Sequence, residues 1–253
     1  MRFASLGSGS RGNGTLVEAA GTCLLIDCGF SLSETERRLA RLKRSPDDID
    51  AILITHEHAD HVRGVARLAA RHNIPVRATA GTLSACARHK LDGAESFSAH
   101  DGFAIDGLEI MPVAVPHDAR EPTQFVFSDG RHRLGVLTDA GHITAHITRS
   151  LAVCDALILE CNHDEAMLIG GPYPPRLKQR VGGLLGHLSN MQAAALLGGL
   201  EVSRLQHIVA AHLSEHNNTP AQARAALADA AGCEVEWIQV ADQEDGLGWR
   251  EIV

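Results

Sequence analysis

The sequence predicts an α/β fold, a four-layer αββα sandwich over residues 1–253 as one domain, with metal-ligand side chains gathered at one edge. Three observations carry this. Short apolar runs alternate with amphipathic stretches along the whole chain, which argues for layered strands and helices rather than an all-β sandwich. The alternation falls into two halves joined near residue 120. Several of the apolar runs also stop abruptly in Asp or His, so ligand-type residues collect at strand ends.

With 253 residues, 45% hydrophobic and 21% charged, the chain can bury one substantial core. No apolar stretch approaches the roughly 20 residues of a membrane span, and the first residues lack the apolar region of a signal peptide. A cytoplasmic enzyme is therefore expected. The six cysteines are scattered without a Cys-x-x-Cys pair and are expected as reduced thiols, most of them in the core. A net charge of −8 argues against a protein that coats nucleic acid nonspecifically. It leaves room for an enzyme with a local basic rim, because bound cations add charge that the formal count omits.

In chain order, a first short strand at 4–6 runs into Gly7-Ser8-Gly9-Ser10-Arg11-Gly12-Asn13-Gly14. This loop reads as a hairpin turn, and it lacks the Lys-Ser/Thr ending of a nucleotide P-loop, although its amides suit a phosphate. Residues 22–28 form a buried strand whose last carboxylate, Asp27, caps the next turn. An amphipathic helix follows at 33–44, with Ser33 as N-cap and Glu36 three residues on. Its Arg37, Arg38, Arg41, Lys43 and Arg44 read as a solvated face, with a nucleic-acid rim as the second reading.

Residues 51–54 are aliphatic on both faces, as in a buried strand, and lead into His56-Glu57-His58-Ala59-Asp60-His61. Two neutral imidazoles one residue apart reach a single metal, while Asp60 and His61 turn to a second site. Such a donor set suits Zn²⁺, and also Mn²⁺ or Fe²⁺. A helix at 62–72, a strand at 74–79, a helix at 82–90 and strands at 103–105, 108–115 and 123–128 come next. The second of those three strands ends in His117-Asp118.

The second half opens with a strand at 133–137 that reaches Asp139, and the run Leu157-Ile158-Leu159 leads into Glu160. Tyr173 precedes a Pro-rich entry into a basic helix with Arg176, Lys178 and Arg180. These read equally as phosphate contacts beside a stacking ring and as solvated charges beside a packing tyrosine. His187 stands just before Ser189, whose capping-box spacing to Gln192 starts a helix. A strand at 207–211 ends in His212. Thr219, Pro220 and Gly232 frame a helix as its cap, first position and terminator, and strands at 234–240 and 248–253 close the chain.

The His56-x-His58-x-Asp60-His61 motif, followed in order by His117, Asp139 and His212 after strands, resembles the metallo-β-lactamase-fold hydrolases. The segments Glu160-Cys161-Asn162-His163-Asp164, Gly186-His187-Leu188-Ser189-Asn190 and His212-Leu213-Ser214-Glu215-His216-Asn217-Asn218 resemble the YycJ/WalJ-like bacterial members. RNase Z-type enzymes and phosphodiesterases are more distantly similar. The extra β-CASP domain of RNase J and the long exosite arm of RNase Z have no counterpart here.

The resemblance implies two divalent ions, Zn²⁺ or Mn²⁺. His56, His58 and His117 would bind one, Asp60, His61 and His212 the other, and Asp139 would bridge them, with Asp27 supporting the His-rich loop. It further implies a phosphodiester hydrolase acting through a hydroxide shared by the ions. Asp60, or the bridging pair itself, would accept the released proton, and His187, partnered by Glu160 or Asp164, would serve the leaving oxygen. The expected substrate is nucleic acid, DNA cut from an end, touched by Tyr173, Arg176 and Lys178. A small-molecule phosphodiesterase or other ester or lactone hydrolase is the alternative. A non-catalytic regulatory module stands further off, since an open dinuclear site has no use in pure binding.

Overall fold

The computed structural model describes every residue of the chain except Lys90 and Asp92. Two seven-stranded sheets pack face to face. The first contains β1 (Arg2–Gly7), β2 (Gly14–Ala19), β3 (Thr22–Ile26), β4 (Ala51–Leu53), β5 (Val76–Thr79) and β6 (Glu95–Phe97) in that order. The second contains β7 (Phe103–Ile105), β8 (Leu108–Ala114), β9 (Thr123–Ser128), β10 (Arg133–Leu137), β11 (Ala156–Glu160), β12 (His207–Ala211) and β13 (Gln239–Val240), also in order. The final strand, β14 (Leu247–Glu251), returns to pair with β1.

Helices α1 (Leu32–Arg41), α2 (Ala59–Val62), α3 (Val65–His72) and α4 (Ala80–Ala85) connect strands of the first sheet. Helices α5 (Ala145–Leu151), α6 (Glu165–Gly170), α7 (Pro175–Val181), α8 (Asn190–Gly198) and α9 (Pro220–Ala231) do so in the second. Each sheet passes from an antiparallel meander into parallel strands, β3 to β6 in one and β10 to β13 in the other. Parallel pairing requires crossovers, and the crossovers bring the C-terminal ends of those strands to the same edge. That edge is where the ligand-type residues stand.

The four layers are written into the strands residue by residue. Leu24, Ile26, Ala51, Leu53, Val136, Ile158 and Val209 pack between the sheets with Phe3, Phe125 and Phe127. Their sequence neighbours face the helices: Leu25, Ile52 and Ile54 with Leu39, Val65 and Leu68 on one side, and Leu137, Leu157, Leu159 and Ile208 with Leu197 and Leu227 on the other. Side chains alternate faces along a strand, so a strand buried on both faces reads as one continuous apolar run. Among the described residues all cysteines are free, and no helix is long and apolar enough to cross a membrane.

Several local expectations need correction. The change of sheet occurs between β6 and β7, not near residue 120. The helix expected at 62–72 is broken into α2 and α3 at Gly64, where a Cβ would lie 2.0 Å from the Phe30 carbonyl oxygen. The helix expected at 82–90 is α4 followed by a 3-10 turn over Ala87–His89, and its expected end, Lys90, lies outside the described residues. Ser31 rather than Ser33 caps α1. Arg38 of that helix is buried instead of solvated, donating to the Leu6 and Gln243 carbonyls at 2.8 Å each. The expected strand at 234–240 is a 3-10 turn (Val235–Trp237) with only β13 after it.

Candidate metal centre

β4 delivers the first ligands. Beyond Leu53 the chain enters a loop stabilised by Asp27 at the end of β3, whose carboxylate accepts from the Thr55 amide and hydroxyl at 2.8 Å each. The same carboxylate lies 2.7 Å from His61 Nδ1. Donation from Nδ1 to Asp27 leaves Nε2 of His61 facing Asp60 Oδ2 at 3.4 Å and Asp139 Oδ2 at 3.3 Å, the nitrogen a metal would take once its proton is displaced. Asp27 thus orients a ring rather than capping a turn alone.

His117, beyond β8, is fixed in the same way: Nδ1 donates to the Gly186 carbonyl at 2.9 Å, and Nε2 faces His58 Nδ1 at 3.3 Å. His58 Nε2 lies 3.2 Å from the Asp118 carbonyl oxygen. With the other nitrogens donating to those carbonyls, the neutral forms of both rings would leave the two facing nitrogens with lone pairs. A cation between them turns that repulsion into attraction.

His56 is fully buried with its Nδ1 3.0 Å from the Thr55 hydroxyl. Its Nε2, His212 Nε2 and Asp139 Oδ2 are buried and without a hydrogen-bond partner. Buried polar atoms are normally satisfied, so three orphans pointing into one cluster fit a metal-binding role. One set of mutually close donors, within 4.8 Å of one another, is His56, His58 and His117; another is Asp60, His61 and His212. Asp139 reaches both sides, with Oδ2 3.3 Å from His61 Nε2 and Oδ1 3.8 Å from His117 Nε2.

Three of these residues hold left-handed backbone: Asp27 (φ 59°), Asp139 (φ 51°) and His212 (φ 55°). Each follows the last residue of a strand by one or two positions and turns its side chain out of the sheet. This conformation is sparsely populated for residues with a Cβ, and its occurrence at three ligand-end positions marks local strain kept at a functional site.

The electrostatics agree. Burial, reinforced by the neighbouring imidazoles, depresses His56 well below its ordinary pKa, and burial with the His187 ring lowers His117 against the pull of Asp139. At His61 and His212 burial works in that direction too, but the surrounding carboxylates win. Asp139, Asp27 and Asp60 raise His61 well above its usual value, and Asp139, Asp60 and Glu160 push His212 to about 10. Without a metal, protons on these two rings balance the carboxylates; a bound cation has to displace them.

β11 contributes Glu160, which is fully buried. Its Oε2 accepts from the Ala140 and Leu188 amides at 2.9 and 3.1 Å, and its Oε1 lies 2.8 Å from His187 Nδ1 and 3.1 Å from His212 Nδ1. Against its burial, His187 and His212 hold the carboxyl well below the usual range. Asp164, the other partner expected for His187, instead caps α6 by accepting from the Met167 amide at 2.8 Å. Ser189 caps α8 in a capping box with Gln192, and Thr219 and Gly232 frame α9 as expected.

The segment expected to touch substrate lies apart from this cluster by its contacts. Tyr173 packs edge-on against His216, with ring centroids 5.9 Å apart, and Lys178 Nζ donates to the Ile169 carbonyl at 2.5 Å. Arg176 is exposed and forms no ion pair among the described residues. Arg180 comes nearer, its Nε donating to Asp118 Oδ2 at 2.6 Å while Asp118 Oδ1 is 3.6 Å from His58 Nε2.

Asn13 is a further participant: its Nδ2 lies 3.3 Å from Asp60 Oδ2 and 3.1 Å from His61 Nε2. Sequence reasoning placed its loop as a hairpin turn with amides suited to a phosphate and gave Asn13 itself no contact. Gly29 permits the approach, for a Cβ there would stand 1.7 Å from the Asp60 carbonyl oxygen. Only the concentration of glycines around Asn13 hinted at it.

Comparison with known proteins adds to this geometry. Residues 22–208 match the family described as "Beta-lactamase superfamily domain". The chain is 33% identical over 229 residues to exodeoxyribonuclease YycJ of Bacillus anthracis, covering 88% of this chain and 86% of that protein. It is 34% identical over 224 residues to exodeoxyribonuclease WalJ of Streptococcus pneumoniae, covering 86% and 83%. Among solved structures, the metallo-β-lactamase fold protein YhfI of Bacillus subtilis is similar in fold, with TM-score 0.76, 16% identity and 98% of each chain covered.

Proposed function

The chain belongs to the β-lactamase superfamily as a metallo-β-lactamase-fold hydrolase, and on that premise we propose that it hydrolyses phosphodiester bonds of DNA from a strand end, using two divalent ions. The observation that carries this reading is the His187–Glu160 pair at 2.8 Å, set 3.5 Å from the Asp139 carboxylate that faces both donor sets. A proton-bearing imidazole beside a dinuclear cradle suits a reaction whose leaving group is an alkoxide. The identity to two proteins named exodeoxyribonuclease over most of each chain supports DNA as the polymer.

In this reading His56, His58 and His117 would hold one ion, Asp60, His61 and His212 would hold the other, and Asp139, which faces both sets, would serve each. Divalent ions there, Zn²⁺ or Mn²⁺, supply Lewis-acid polarisation of a phosphoryl oxygen and acidify water near neutral pH. The protein's own part is largely orientation. Asp27, the Gly186 carbonyl and Thr55 fix the rings of His61, His117 and His56, so the donors need no rearrangement during reaction. Asp60, the ligand with a partly open carboxylate, takes the proton released by the attacking water. Glu160 holds His187 by Nδ1, and Nε2 is the nitrogen left to protonate the departing 3′- or 5′-oxygen.

The test is degradation of end-labelled DNA and RNA by purified protein supplied with Mn²⁺ or Zn²⁺. Progressive, metal-dependent loss of DNA from an end is expected. Turnover of a small phosphodiester with neither polymer cut would reject the nuclease reading while keeping the hydrolase.

A further inference from the structure

Between α7 and His187 runs Gly182-Gly183-Leu184-Leu185-Gly186, and its two leucines point into solvent, 74% and 53% exposed. Its backbone, by contrast, is fastened to the loops that carry the ligands. The Asp118 amide donates to the Leu185 carbonyl at 3.0 Å, His142 Nδ1 lies 2.9 Å from the Leu184 carbonyl, and His117 Nδ1 is bonded to Gly186. Gly141 packs so closely that a Cβ there would stand 2.3 Å from the Leu184 oxygen. The backbone beneath two exposed leucines is thus tied to the loops that carry the ligands, and their side chains belong to none of the apolar core clusters.

The surroundings narrow what would cover them. α7 ends beside this segment in Arg180, whose carbonyl accepts from the Gly183 amide and whose Nε donates to the Asp118 beside His117. An occupant that meets a cation on one side and exposed leucines on the other needs anionic groups next to flat apolar faces. A nucleic-acid strand has that composition: phosphates for the cation and bases for the leucines.

We propose that Leu184 and Leu185 form an apolar lip that packs against a nucleobase flanking the scissile phosphate. This rests on the nuclease reading above and adds to it a base contact, indifferent to base identity, as part of substrate capture. The anchored backbone matters here, since a loop ordered in advance loses little conformational entropy when the base arrives.

The experiment is a two-by-two comparison with the full-length, metal-loaded protein. Wild type and Leu184→Ala/Leu185→Ala are each given a single-stranded oligodeoxynucleotide, intact or with an abasic residue at the terminal or penultimate position. Removing the base at the contacted position should lower kcat/KM of the wild type about tenfold, in the range of one base contact. In the double variant the same removal should have no further effect, because the lip is already gone.

Equal costs of base removal in both proteins would overturn the lip while leaving the nuclease reading intact. A wild type that cuts no oligonucleotide at all, yet turns over a small phosphodiester, would remove both. Sedimentation of the two proteins covers the remaining occupant: a wild-type dimer that the substitutions dissociate would assign these leucines to a second copy and overturn the proposal.

Discussion

Asp139→Asn should lower phosphodiester turnover by about 10³-fold or more, the equivalent of the several kcal/mol that metal-based charge stabilisation contributes. The carboxylate is 1% exposed and turns one oxygen toward His61 and the other toward His117. Asparagine keeps the shape and tolerates left-handed backbone, which Asp139 holds at φ 51°. Alanine there would add a strain of about 1–2 kcal/mol and confuse loss of a ligand with loss of fold. The variant should remain folded by thermal melting and bind fewer ions. Wild-type turnover with an unchanged metal content would show that Asp139 holds neither ion.

His187→Ala should cut turnover of DNA by about 10²- to 10⁴-fold, the usual contribution of a positioned general acid. The ions should stay bound, because His187 Nδ1 is engaged with Glu160 and the proposed ligand set does not include it. The effect should depend on the leaving group. A p-nitrophenyl diester leaves as a stable anion without a proton, so its hydrolysis should suffer far less than that of DNA. A loss of equal size on both substrates would mean that His187 acts other than by protonation, and a drop in bound metal would recast it as a ligand.

How far the sequence disclosed this site depended on how local each feature was. Ala51 to His61 was legible because a strand buried on both faces ran directly into its ligands, and α9 because Thr219, Pro220 and Gly232 are local signals. Glu160 and His187 stood at recognisable positions, yet their pairing spans 27 residues of sequence and required the fold. The boundary between halves was misplaced because the first sheet ends at β6, which the sequence does not announce, so the antiparallel strands β7 to β9 were counted with the first half.

β6 was overlooked because its Glu95 and Ser96 are exposed, so an edge strand there lacks the apolar signature. Arg38 looked like one more solvated cation, and only the meeting of β1 with the turn at Gln243 gives it carbonyls to bind. Asn13 and Gly29 have their meaning in close backbone approach to Asp60. Such proximity is a tertiary fact that composition suggests but does not specify.

The central claim, a dinuclear site assembled from two strand-end donor sets, is tested most directly by metal content. Protein equilibrated with Zn²⁺ or Mn²⁺, freed of excess ion by dialysis and analysed by elemental mass spectrometry, should hold about two ions per chain, in keeping with a two-metal site. Asp139→Asn should hold fewer. One ion or none in active wild-type protein would contradict the account.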